Sequence, residues 1–246
     1  ELVLGVLIHM KAKAEPTSLH DPRILNLLQI ANSSFPTGAF NHSYGFETLI
    51  NDGTIYDGKS FGEYCRDWLL YGIARSDGAG MALSYRAAIE GNIEELIYLD
   101  TQIGALKIAK EIREASVKTG LALLSGLQDI FNLDSLASYT EAINNKKCRG
   151  HQAVVFGVGS AALGLDENDS VLAFLQSSFS NLVGVGSRII PLGQVESQSL
   201  IYQTSPLLIE AASIAKRTSR DELSSSVLVL DLAAMAHERL YSRLCM

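Results

Sequence analysis

Helical spacing recurs along almost the whole of this chain, and no segment alternates apolar and polar residues with period two for long enough to make a half-buried strand. That pattern leaves helix-on-helix packing as the way to bury a core. The expected architecture is therefore all-α, a single-domain helical bundle over residues 21–246 with roughly ten helices. The local signals are specific. Asp21-Pro22 has the form of a helix start, with Ile24, Leu27, Leu28 and Ala31 on one face. Pro36 and Gly38 then break the pattern, and Asn41 is placed to cap the next helix. Ser60-Phe61-Gly62-Glu63 spells a capping box, and the helix after it carries Trp68 toward the core. Gly91-Asn92 separates helices over Met81–Ile89 and Ile93–Ile103, and a longer helix runs from Leu106 to Phe131. A further helix spans Ser135–Ile143. Asp169 is expected to cap the helix through Phe174 and Phe179, and residues 187–193 interrupt before the next helix begins at Gln194. A second capping box, Ser219–Glu222, should head a helix nearly to the end of the chain, with Leu223, Val227, Leu230, Ala234, His237 and Tyr241 on one face.

The run Ala153–Leu165 is uncharged and rich in alanine, valine and glycine, which lets helices approach closely and places this segment at the centre of the bundle. An apolar fraction of 47% and a charged fraction of 19% fit an ordinary globular chain. A net charge of -7 with no basic stripe argues against nucleic-acid binding. Three widely spaced cysteines, Cys65, Cys148 and Cys245, make no disulfide framework and fit a reducing cytoplasm. Residues 1–20 read as an N-terminal extension. Its apolar run Leu2–Ile8 is far short of the ~20 residues a membrane span needs, and it lacks the flanks of a secretory signal. His9-Met10 has the form of a cloning junction with Met10 as the natural start.

Candidate chemistry is sparse. Gly157-Val158-Gly159-Ser160-Ala161-Ala162 fits a loose dinucleotide-binding pattern, but no acidic residue stands at 176–181, where the ribose contact belongs. Cys148 and His151, three apart, supply half of a tetrahedral metal site that His42 or His237 would have to complete. There is no phosphate-binding Gly-Lys-Ser/Thr loop, no nucleophile elbow and no His-Glu-x-x-His. Glu94-Glu95 and Asp221-Glu222 sit at helix starts, where the helix dipole accounts for them. Lys107 with Glu111, Lys110 with Glu114 and Glu114 with Lys118 form a solvated stripe of charges four apart. The expectation is a protein that is not an enzyme and holds no cofactor.

Five stretches in order resemble the UreF family of urease accessory proteins: Phe35–Glu47, Lys110–Ser116, Gly150–Gly157 with Ala161–Gly164, Arg188–Gln194, and His237–Leu244. The resemblance implies an all-helical scaffold that binds UreD (also called UreH) and the GTPase UreG on apo-urease, permitting GTP-dependent nickel insertion. It also implies a homodimer in some members. The partner-binding positions it implies are Phe40, His42 and Tyr44 in the N-terminal turn and His237, Tyr241, Ser242, Arg243 and Leu244 in the tail. Phe40 is then expected to act as an aromatic anchor and Arg243 as a buried interface cation. The chain departs from the family at Cys245, where an aromatic residue is usual, which implies less ring burial by the tail. Two alternatives stand beside scaffolding. One is a GTPase-activating or regulatory factor offering Arg188 or Arg243 to UreG. The other is a direct nickel metallochaperone using Cys148 and His151.

Overall fold

A computed structural model describes residues 21–245, so the expectations for the N-terminal extension, including Met10 as a start, lie outside the described residues. Among the described residues there are twelve α-helices and no strand, in line with the all-α expectation. Helix α1 (Pro22–Ile30) begins as expected, with the Asp21 carboxylate accepting from the Arg23 N-H at 3.0 Å. Its inward face is Leu27, Ile30 and Ala31, however, and Ile24 and Leu28 face solvent. Asn41 is not a cap. It closes a 3-10 turn over Ala39–Asn41, and α2 (Phe46–Asn51) starts only after Tyr44 and Gly45, both at positive φ, have turned the chain.

The capping box of α3 (Gly58–Asp67) lies one turn earlier than predicted. Ser60 donates its N-H to Asp57 Oδ1 at 2.8 Å, and the Asp57 N-H donates to Ser60 Oγ at 3.1 Å, so Ser60 is the third helical residue rather than the cap. The helix continues through a π-helical stretch, Trp68–Gly78, into α4 (Ala79–Ile89). Trp68 is buried, as expected. Asn92 caps α5 (Ile93–Leu106) by accepting from the Glu95 N-H at 3.1 Å. Asn92→Ala is expected to cost about 1 kcal/mol, read as a drop of a few degrees in the thermal midpoint.

The long helix predicted from Leu106 is broken at residues 107–109, and α6 spans Lys110–Phe131. Lys107 turns inward to Asp77, at 2.6 Å, instead of pairing with Glu111. After α7 (Ala137–Asn144), the loop 145–151 is pinned on Asp100 of α5. That carboxylate accepts from the N-H groups of Arg149, Gly150 and His151 at 2.6, 3.0 and 2.7 Å and from the Tyr139 hydroxyl at 2.9 Å. Helix α8 (Gln152–Ala162) is the central element, packed most heavily against α4 and α6. A Cβ on Gly157 would stand 2.4 Å from the Met81 carbonyl oxygen, so the small residue is what allows α8 and α4 to touch backbone to backbone.

Asp166 rather than Asp169 caps α9 (Glu167–Ile189), accepting from the N-H groups of Asn168 and Asp169. Helices α10 (Gln194–Gln203) and α11 (Ser205–Arg217) follow. The second capping box does form, but it heads only a 3-10 turn, Arg220–Glu222. The chain beyond it runs out of helical register because the N-H groups of Ser224 and Ser226 donate to the carbonyls of Arg75 and Tyr71 in the π-helical stretch. Helix α12 therefore covers only Leu228–His237, and Tyr241 lies beyond it, fully exposed. No helix among the described residues is long and apolar enough to cross a membrane.

Candidate functional site

The N-terminal turn and the C-terminal tail, nearly two hundred residues apart in sequence, meet at one corner of the bundle. Gly45 permits the meeting. It sits at φ +87°, and a Cβ there would fall 2.4 Å from the Leu230 carbonyl oxygen, so α12 lies directly on the turn. The Thr48 hydroxyl donates to the Ala233 carbonyl at 2.8 Å and fixes the register of α2 against α12.

His237, the last residue of α12, is only 2% exposed and stands between two carboxylates. Its Nδ1 is 2.6 Å from Glu111 Oε2 and its Nε2 is 2.9 Å from Glu47 Oε2. Only the imidazolium, with a proton on each nitrogen, donates to both. Glu111 lies in the first turn of α6 and His237 in the last turn of α12, the helix ends where an acid and a base are favoured.

The same acids hold the tail. Glu47 Oε1 accepts from the Leu244 N-H at 2.6 Å, Glu47 Oε2 from the Cys245 N-H at 3.0 Å, and Glu111 Oε1 from Arg243 Nη1 at 2.8 Å. Burial alone would raise the Glu47 carboxyl, but the Leu244 N-H, His237 and the Cys245 N-H together hold it below the ordinary carboxylate range. Cys245 is buried, and its thiol is pushed up to about 11 by that burial and by Glu47. The tail is thus anchored through its backbone and Cys245, while Tyr241 and Leu244 project outward, Leu244 at 70% exposed. On α12 itself, Leu228, Val229, Leu232 and Met235 form an apolar outer face.

Each expected partner-binding residue can be placed against this frame. His42 is buried and lines the corner with Glu111 and His237. Tyr44 is half-buried with its ring 5.5 Å from that of Trp68, a packing position. Phe40 is partly exposed, and its carbonyl accepts from Arg188 Nη2 at 2.5 Å. Arg188 also donates to the Gly184 carbonyl, so its guanidinium ties the N-terminal turn to the end of α9. Tyr241, Ser242 and Leu244 are exposed. Arg243 is not buried in the isolated chain, with a side chain 43% exposed. Glu111, expected in a solvated stripe, is instead covered by the tail. Glu47 was not singled out as a functional residue, although a lone acid in the apolar run Phe46-Glu47-Thr48-Leu49 is a sequence signal for a buried carboxylate that must be satisfied. The structure does not bring Cys148 and His151 together with His42 or His237, and no group of three or more His, Cys, Asp or Glu side chains able to hold a metal occurs among the described residues.

Comparison with known proteins identifies the family of the chain as a whole. A family model described as UreF matches residues 55–205. The chain is 33% identical over 226 residues to a protein of Lachnoclostridium phytofermentans named urease accessory protein UreF, covering 92% of this chain and 99% of that protein. It is 32% identical over 220 residues to one of the same name from Actinobacillus pleuropneumoniae serotype 5b, covering 89% and 97% of the two. A Haemophilus influenzae protein of that name, from strain Rd, is 33% identical over 220 residues, with 89% and 94% covered. With the family model matching more than half of the sequence and these relatives aligned over nearly their full lengths, the chain belongs to the UreF family of urease accessory proteins.

Proposed function

We propose that the protein is a non-enzymatic scaffold of urease maturation, which binds UreD (UreH) and the GTPase UreG on apo-urease so that nickel, the cargo, enters the urease active site as UreG hydrolyses GTP. The observation that carries this reading is the anchored tail. Its backbone is fixed by Glu47 while Tyr241, Leu244 and the outer face of α12 stay uncovered, so a partner can bury apolar surface without first ordering the segment. Large apolar side chains left exposed on one helix face, as on α12, fit an interaction site. Holding partners side by side raises their effective concentration, which requires no chemistry from the scaffold itself. The setting is cytoplasmic, with neither nucleic acid nor membrane as a partner, and a homodimer accords with the exposed α12 face.

Arg243 is the residue on which the reading is most directly tested. Its guanidinium stays exposed in the ion pair to Glu111, which is worth about 1 kcal/mol to the fold. Arg243→Ala is therefore expected to leave the circular dichroism spectrum and thermal midpoint almost unchanged while abolishing co-purification with UreD and UreG and lowering nickel-dependent urease activation. Normal activation by this variant would remove Arg243 from the mechanism, and normal activation in cells lacking the whole protein, with nickel scarce, would overturn the scaffold reading itself.

A further inference from the structure

Away from the tail corner, a cleft of about 450 Å³ opens between α5, the start of α6 and the loop 145–151. Arg113, Lys146, Lys147 and Arg149 line it, and no carboxylate of the described residues lies within 4.0 Å of any of these four side-chain cations. In a chain of net charge -7 such an uncompensated cluster is conspicuous. The cluster is also built. Asp100 at the floor has its oxygens committed to Tyr139 and to the N-H groups of residues 149–151, which fixes the loop that carries three of the cations. Arg113 is steadied by donating to the Lys107 carbonyl at 2.7 Å.

His151 adds a polar ring to the cleft. It is 1% exposed and lines the cleft, its Nδ1 is 3.1 Å from Ser116 Oγ, and its Nε2 lies beside Gly104, where a Cβ would stand 2.6 Å away. Burial keeps the ring neutral, pushing its pKa down to about 4. The neutral ring shares one hydrogen bond with the Ser116 hydroxyl through Nδ1.

We propose that this cleft is a docking site for an acidic segment of a partner protein, its carboxylates set among Arg113, Lys146, Lys147 and Arg149 beside the His151 ring. An extended peptide fits better than a nucleotide, because no aromatic side chain lines the cleft to stack a base. Thr101, Gly104 and Ala105 leave a wall of small residues along which a backbone can lie. The site shares no residue with the tail corner, so the scaffold reading and this one can fail separately.

The test is fluorescence anisotropy of labelled hexaglutamate with the full chain. The comparison is between Lys146→Gln/Lys147→Gln/Arg149→Gln and a control of equal charge loss, Lys59→Gln/Arg66→Gln/Arg217→Gln, on exposed positions elsewhere. Binding should weaken with added salt and be roughly tenfold weaker in the cleft variant, unchanged in the control, and accompanied by a shift of the His151 Nε2 resonance. Equal losses in both variants, or none in either, would overturn the proposal. So would inorganic phosphate saturating the cleft at matched ionic strength while hexaglutamate fails to displace it, which would make this a small-oxyanion site.

Discussion

Asp100→Ala is expected to remove about 3–5 kcal/mol of folding stability, a large part of the 5–15 kcal/mol that holds an ordinary domain together. The side chain is 1% exposed, and its two oxygens accept four hydrogen bonds, three of them from consecutive backbone N-H groups. Alanine would leave those donors buried without water, and the loop cannot turn them elsewhere because it is clamped between Tyr139 of α7 and the first turn of α8. Relief of the cost of burying the carboxylate offsets only part of the loss. Asp100→Asn should do less damage, since one oxygen remains to accept, and Tyr139→Phe less again, since it removes one bond of the four. Urea denaturation would order the three variants by midpoint at constant slope, with amides 149–151 exchanging fastest in the alanine variant. A wild-type midpoint for Asp100→Ala would mean that the loop is held by something other than this carboxylate.

The contrast between what was and was not legible beforehand follows the range of the interactions. Asn92 and Asp21 act on residues two or three positions away, so their roles are written in the local order of residues. Where two cap patterns overlap, local order is ambiguous. Ser60 answers both to Asp57 before it and to Glu63 after it, and Asp166 and Asp169 are equally placed to begin α9; the earlier acid wins in each case because it satisfies free N-H groups of the first turn. Residues 223–227 have a helical apolar pattern, yet the N-H groups of Ser224 and Ser226 donate to carbonyls of the π-helical stretch. Tertiary bonding there outweighs periodicity. The corner itself was half legible. The family motifs pointed to the N-terminal turn and the tail, but nothing in residue order shows that Glu47 and His237, 190 positions apart, share a hydrogen bond, or that Glu111 is drawn from the surface by Arg243 and His237.

Glu47 makes the second large prediction, because one buried carboxylate holds three groups of the tail region. Glutamine keeps an acceptor oxygen but turns an N-H₂ toward donors, so Glu47→Gln should cost about 2–3 kcal/mol of tail docking. The Leu244 and Cys245 amides would then exchange roughly thirtyfold or more faster at neutral pH, while helices far from the corner keep their protection. The wild-type protein should reach the same state in acid. Because the folded carboxyl is held below its unfolded value of about 4.3, its contribution is complete above that value and disappears as pH falls through the lower folded one, so the tail stays latched at neutral pH and releases only in strong acid. In Glu47→Gln that acid step should vanish from the exchange profile. The variant also separates two roles that Arg243→Ala leaves joined. If partners read the ordered shape of the tail, Glu47→Gln should lower urease activation although Tyr241, Arg243 and Leu244 are all intact. Activation at the wild-type level with the tail amides fully exchanging would show that partners order the tail themselves, and wild-type exchange at residues 244 and 245 would show that Glu47 is not the latch.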